Sequence, residues 1–323
     1  MRWRAMFMGE RPRGLWAHTD FLKFWAGQSL SLLGSTVSAL ALPLTAVLVL
    51  EATPAQMGIL TALGALPAVL LGLFAGVWVD RSRRRRLMIA ADLLRAVLLF
   101  TIPLAALVGV LRIEHLYLAI PLVASGTLFF NVANSAYFPA LVGREHLVDA
   151  NRKLSLSGSL AEILGPGLAG ALVQIVTAPI AIAVDAISYV VSALFLAWMN
   201  TPEAVSRPPA ARSSLRRELA EGLKLIVDHS LLRAIAGSLC TVNLFNAVFE
   251  AVALVYLTRD LALDPGLLGL IFASGSLGFL CGSLLQGVVD RRIGLGPTIV
   301  GGLLLVGISV NYSNRAGCCR RAR

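Results

Sequence analysis

Two apolar stretches, each long enough to cross a lipid bilayer, are joined by Asp80-Arg81-Ser82-Arg83-Arg84-Arg85-Arg86. The first ends in Gly72-Leu73-Phe74-Ala75-Gly76-Val77-Trp78-Val79, and the second begins at Leu87. A water-soluble fold has no use for an arginine cluster between two such segments. In a membrane, the cluster holds a short loop at one surface, and the neighbouring acid neutralises part of its charge. This run alone directs the chain toward a polytopic membrane fold.

Composition agrees: 57% of residues are hydrophobic and 14% charged, with a mean hydropathy of +0.78. Globular proteins average about 25% charged residues. A hydrocarbon core of about 30 Å needs about 20 apolar residues to cross it. Hydropathy predicts spans near 26–49, 57–79, 87–110, 116–136, 156–177, 179–199, 231–257, 266–289 and 297–312. None alternates apolar and polar residues as barrel strands do, so the expected fold is all-α.

The net charge of +10 raises nucleic acid as a partner, and the location of the charge argues against it. With the N-terminus in the cytoplasm, the basic groups Arg2–Arg13, Arg81–Arg86, Arg144–Lys153, Arg207–Lys224 and Arg291–Arg292 all face inward. The opposite loops hold Arg112 and Arg259. That asymmetry is the positive-inside rule. His18, His115, His146 and His229 sit in loops or at helix ends, and the cysteines lack zinc-type spacing. No metal or cofactor is expected. No phosphate-binding glycine loop with lysine appears, so neither ATP nor enzymatic chemistry is expected to drive the protein.

The second half echoes the first. Thr53-Pro54 and Asp264-Pro265 each place a capping residue before proline at a helix start. Gly72…Asp80-Arg81 finds a counterpart in Gly282…Asp290-Arg291. Such repetition points to two related bundles. The expected organisation is a cytoplasmic segment 1–20, a six-helix bundle 21–199, a linker 200–230, a partial second bundle 231–312 and a tail 313–323. Within the linker, Leu215, Leu219, Leu223 and Ile226 recur near helical spacing beside Arg216, Arg217 and Lys224, as in a helix lying on a membrane surface. The segment around Arg144–Lys153 is expected to lie on the surface in the same way.

Several motifs resemble the major facilitator superfamily, whose members carry two six-helix bundles around a central cavity. Gly76, Asp80, Arg81, Arg84 and Arg85 resemble that family's gating motif between its second and third helices, which casts Asp80 as a latch between bundles. Gly158, Gly165, Pro166 and Gly170 are similar to its antiporter motif. Phe24-Trp25-Ala26-Gly27-Gln28, Asp92…Arg95, Val148–Asn151 and Asp185–Tyr189 resemble the bacterial branch that includes enterobactin and macrolide exporters. The resemblance implies a multi-pass carrier of the cell membrane, acting as a monomer, with about nine of twelve helices present. The tail Asn311–Arg323 changes composition abruptly and reads as a truncated or frameshifted end.

Polar residues inside spans are the candidate transport residues, because each costs free energy in lipid. Ser155, Ser159 and Glu162 share one helix face, which makes Glu162 a candidate for proton coupling or substrate contact. Asn243, Asn246 and Glu250 share another face, and Gln28, Ser31, Ser35 and Ser38 form a stripe on the first helix. Asn131 and Asn134 complete the candidates. Asp92 and Arg95 are expected to pair and brace the arginine loop. Asp185, with Ser188 and Ser192, is expected to be structural. The function expected from these features is proton-driven export of a drug-like or amphipathic small molecule by rocking of two bundles. The alternative is an inserted chain that does not transport.

Overall fold

The structure, a computed structural model, describes residues 15, 18–143, 145–200, 224–225, 227–294, 296, 298 and 301–302. The chain divides into two compact units, Met1–Ala273 and Ser274–Arg323, and every contact below lies within the first. The fold is all-α, and among the described residues eight helices are long and apolar enough to cross a membrane. They are α1 (Thr19–Leu44), α2 (Pro54–Arg81), α3 (Arg84–Leu107), α4 (Ile113–Val142), α5 (Leu147–Val176), α6 (Ala178–Ala197), α7 (Ser230–Val255) and α8 (Pro265–Ile293).

Local chemistry explains the helix ends. His18 accepts the Phe21 N–H to cap α1. Thr53 and Gln56 form a reciprocal capping box on α2, with Pro54 in the first turn. Gly143, with φ of 74°, stops α4 in a conformation that costs glycine little. One expectation is corrected here. The segment around Arg144–Lys153 is expected to lie separately on the surface, but Leu147–Lys153 forms the first turns of α5, which runs unbroken to Val176. A helix of 30 residues is roughly 45 Å long, so its charged start can project beyond a core of about 30 Å. Most of the expected ninth span, the tail and most of the N-terminal and linker segments lie outside the described residues.

α1 packs on α5 and α6, α3 on α4 and α6, and α2 on α4 and α7. One apolar cluster, which includes Phe21, Phe24, Val79, Met88, Phe138 and Leu196, fills the arginine-rich end and draws on the first six helices. The other, at the arginine-poor end, joins Leu44, Met57, Leu116, Val173 and Ile182 to Leu254 and Val255 of α7 and Leu268 of α8.

The backbone confirms the repeat that the capping residues announce. α1 closes in a π turn, Thr45–Val49, and α7 in another, Tyr256–Asp260. Each π turn is followed by a residue of positive φ, Glu51 at 51° and Ala262 at 48°. Matching backbone hydrogen bonds, Ala52 N to Ala46 O and Leu263 N to Leu257 O, tie the two turns down. All these landmarks, and the starts of α1 and α7, are separated by one constant interval in sequence.

Candidate functional site

The most polar part of the interior lies where α1, α3, α4 and α6 meet. On α3, Asp92 and Arg95 stand one turn apart and form a buried ion pair. At about 1.5 Å per residue, Arg95 sits roughly 16 Å along α3 from Arg84, near the middle of a core of about 30 Å. Its guanidinium lies 4.7 Å from the ring centre of Phe130 on α4 and 4.0 Å from that of Tyr189 on α6. Two aromatic faces therefore supply cation–π attraction where water would otherwise solvate the charge. Arg95 also donates to Thr127 Oγ1 over 3.4 Å.

Asp185, Ser188, Tyr189 and Ser192 share one face of α6, and all four are buried. Ser188 donates to Asp185 Oδ1 at 3.2 Å, and Ser35 of α1 reaches the same oxygen at 3.5 Å. Ser35 also bonds the Tyr189 hydroxyl at 2.9 Å. Ser192 stands beside Asp92, and Ser38 beside Asp185. Two glycines make this proximity possible. A Cβ at Gly34 would come within 2.8 Å of Asp185 Oδ1, and one at Gly126 within 2.9 Å of Arg95 Cγ.

An apolar cavity of about 420 Å³ adjoins the cluster, lined by Leu42, Leu99, Ile102, Ile120 and Val123, with Thr127 and Asn131 as its polar groups. A second cavity, of about 240 Å³, shares Leu42, Gly64 and Ile120 with it and includes Ser38 and Thr61. Apolar walls with a few placed hydrogen-bonding groups are the usual make-up of a small-molecule site. Among the described residues, no three His, Cys, Asp or Glu side chains come together to hold a metal.

The expected residues divide among three places. Ser35 joins the buried cluster, and Asn131 lines the larger cavity. Asn134 is half-buried, and its Oδ1 is buried with no hydrogen-bond partner among the described residues. Gln28 is half-buried on α1. Glu162 is exposed on α5, as are Ser155 and Ser159 on the same face. That face continues through Pro166 to Gly170, where α8 covers it: a Cβ at Gly170 would meet Pro265 O at 2.6 Å and Gly269 Cα at 2.8 Å. Gly165 faces Thr36 of α1 more closely still, whereas Gly158 has open space around it.

On α7, Asn243 is exposed and donates to Leu239 O at 2.8 Å, and Asn246 is also exposed. The Glu250 side chain lies outside the described residues. In the gating motif, Asp80 pairs with Arg84 at 3.7 Å, and Arg84 donates to Ala136 O at the end of α4. Arg85 donates to Leu196 O and Ala197 O, tying the first turn of α3 to the end of α6. Arg81 is exposed, and Gly76 has open space around it. Asp92 and Arg95 pair with each other, and their further partners lie on α4 and α6 rather than in the arginine loop. Sequence reasoning passed over Asp185, Tyr189 and Thr127 as site residues. The signal was present in Asp185, since an ionisable residue inside a span is by default a functional candidate.

Repeated spans, a buried ionic cluster and an adjoining cavity define a multi-pass membrane transporter. The chain matches the Major Facilitator Superfamily over residues 24–311, and it belongs to that family. It is 28% identical over 303 residues to macrolide efflux protein A of Streptococcus pyogenes, a match covering 91% of this chain and 72% of that protein. The macrolide efflux protein A of Enterococcus faecalis is 27% identical, with 78% of each chain covered. The multidrug efflux pump Tap of Mycolicibacterium fortuitum is 26% identical over 76% of this chain and 62% of its own. Among solved structures, a bacterial homologue of the human lysosomal transporter Spinster, inward-facing and unoccupied, superposes with a TM-score of 0.64 at 17% identity. That superposition covers 88% of this chain and 64% of the other.

Proposed function

We propose that this chain is a secondary active exporter, moving an amphipathic, drug-like molecule out of the cell by alternating access and drawing on a proton gradient. The observation that carries the reading is the polar face of α5. It is covered by α8 at Gly170 and exposed at Ser155, Ser159 and Glu162. If the arginine-rich end is cytoplasmic, as the positive-inside rule favours, this conformation presents the α5 face inward.

Glu162, about one turn from the Pro166–Gly269 contact, is then the carboxylate that meets cargo at the head of that open face. Thr127 and Asn131 offer hydrogen bonds to a largely apolar molecule in the cavity. The names of the relatives support macrolides as a first cargo to try. The test is reconstitution of the purified chain in liposomes loaded with erythromycin. Under an imposed pH gradient, drug efflux is expected to exceed that of protein-free liposomes and to collapse with a protonophore. Equal efflux from both would reject the export reading in favour of an inserted chain that does not transport.

A further inference from the structure

The buried cluster holds an uneven number of charges. Two carboxylates, Asp92 and Asp185, share one guanidinium, and Arg95 is committed in direct contact to Asp92. Asp185 meets hydroxyl groups: Ser35 and Ser188 within hydrogen-bonding distance, with Ser38 beside it. A buried carboxylate without its own cation is costly in a low-dielectric interior, and such a group neutralises rather than stay ionised. A metal cation would meet the repulsion of Arg95 in the same cluster, whereas a proton adds an O–H donor that the neighbouring hydroxyls can accept.

Gly34 and Gly126 leave room for Asp185 and Arg95 respectively, so the cluster is built into the helix packing of α1 and α4. It also borders the cavities. Thr127 lines the larger one while bonding Arg95, and Ser38 lines the smaller one beside Asp185. Two further hydroxyls are buried at the same place, Ser38 beside Asp185 and Ser192 beside Asp92.

We propose that Asp185 is the group that carries the coupled proton, in a cluster with Arg95 and Asp92 that communicates with the cargo cavity through Thr127 and Ser38. Asp185 takes one proton from water in one conformation and returns it to water, as the carboxylate, in the other. The charged and titratable groups that face it are Arg95 of α3 and Tyr189 of its own helix, with Asp92 paired to Arg95 and acting on Tyr189 in the same cluster. From α1 it meets the uncharged Ser35 and Ser38. Glu162, on the exposed face of α5, is separate from this cluster.

The inference rests on the export reading for its meaning, but its first test is independent of cargo. Infrared spectra of the reconstituted full chain at neutral pH are expected to show the C=O stretch of a protonated carboxyl. The band is expected to vanish in Asp185→Asn and to survive in Glu162→Gln. A band that survives in Asp185→Asn overturns the proposal, as does the absence of any band in the unmodified chain. Where Asp185→Asn fails to give a monodisperse protein, Asp185→Glu serves instead, and a band unshifted by that change counts equally against the proposal.

The second test is erythromycin flux. Asp185→Asn is expected to exchange erythromycin at equal rates with and without a pH gradient, while the unmodified chain is accelerated by the gradient. Acceleration retained in Asp185→Asn removes the proton from Asp185 and leaves the export reading standing. A sodium gradient that replaces the pH gradient overturns the choice of ion. A carboxyl band assigned to Asp185 in a chain that moves no erythromycin leaves the proton site standing and rejects this cargo.

Discussion

The α1–α2 hairpin and the α7–α8 hairpin share one backbone design and meet different surroundings. Both first helices end in a π turn, both then use a residue of positive φ, and both second helices open on proline. Yet half of the apolar window of α1 is buried against protein, compared with 12% for α7. Ser35 of α1 is drawn into the Asp185 cluster, while Asn246, at the corresponding place on α7, is exposed. The difference teaches that the turn geometry, kept where both hairpins pack into one apolar cluster, belongs to the hairpins, whereas the middles of their first helices diverge. The polar cluster is not intrinsic. It depends on α3, α4 and α6 closing around α1.

The largest effect expected from this contrast is at Arg95. Arg95→Ala leaves buried Asp92 uncompensated and is expected to destabilise the protein by about 3–5 kcal/mol. Asn246→Ala, on the second hairpin, is expected to stay within about 0.5 kcal/mol. Thermal unfolding of both variants in detergent checks the pair. Comparable losses would mean that the two hairpins are equally embedded.

Next comes the close contact of α8 with α5. The atoms that a Cβ at Gly170 would meet, Pro265 O and Gly269 Cα, are backbone and cannot swing aside. Gly170→Val is expected to disfavour the contact by about 1–3 kcal/mol and to expose the α5 face to the opposite compartment. Gly158→Val, in the same motif, meets open space and is expected to leave labelling unchanged. Cysteine accessibility at Ser159 reads both variants.

The smallest effect tests the shared backbone itself. Glu51 and Ala262 hold left-handed conformations that cost a side chain about 1–2 kcal/mol relative to glycine. Glu51→Gly and Ala262→Gly are each expected to raise stability by about 1 kcal/mol, and by similar amounts. A gain at one position alone would show that the turns are not equivalent. Thermal midpoints of the two single variants decide it.

Much of the fold was legible because hydrophobicity and proline-capped starts are local signals. Pro54 and Pro265 mark the first residues of α2 and α8, and Asp80–Arg86 marks the junction of α2 and α3, although only Ser82-Arg83 breaks the helices where a longer loop is expected. The start of α5 was not legible, since Leu147–Lys153 carries charge that hydropathy reads as surface although helical hydrogen bonding runs straight through it. The π turns left no sequence signature. In the site, the stripe of Asp185, Ser188 and Ser192 was visible, but its rotation toward Arg95 was not. That rotation depends on Gly34 and Gly126, whose role appears only when the helices they face are in place.

The account stands most directly on which side the α5 face opens. Place one cysteine at Ser159 in a chain whose own cysteines are replaced by alanine, and treat intact cells and inside-out vesicles with a membrane-impermeant maleimide. In the resting state, labelling is predicted in inside-out vesicles and not in intact cells, with erythromycin slowing it. Labelling in intact cells but not in inside-out vesicles would contradict the inward-facing assignment and the export mechanism built on it.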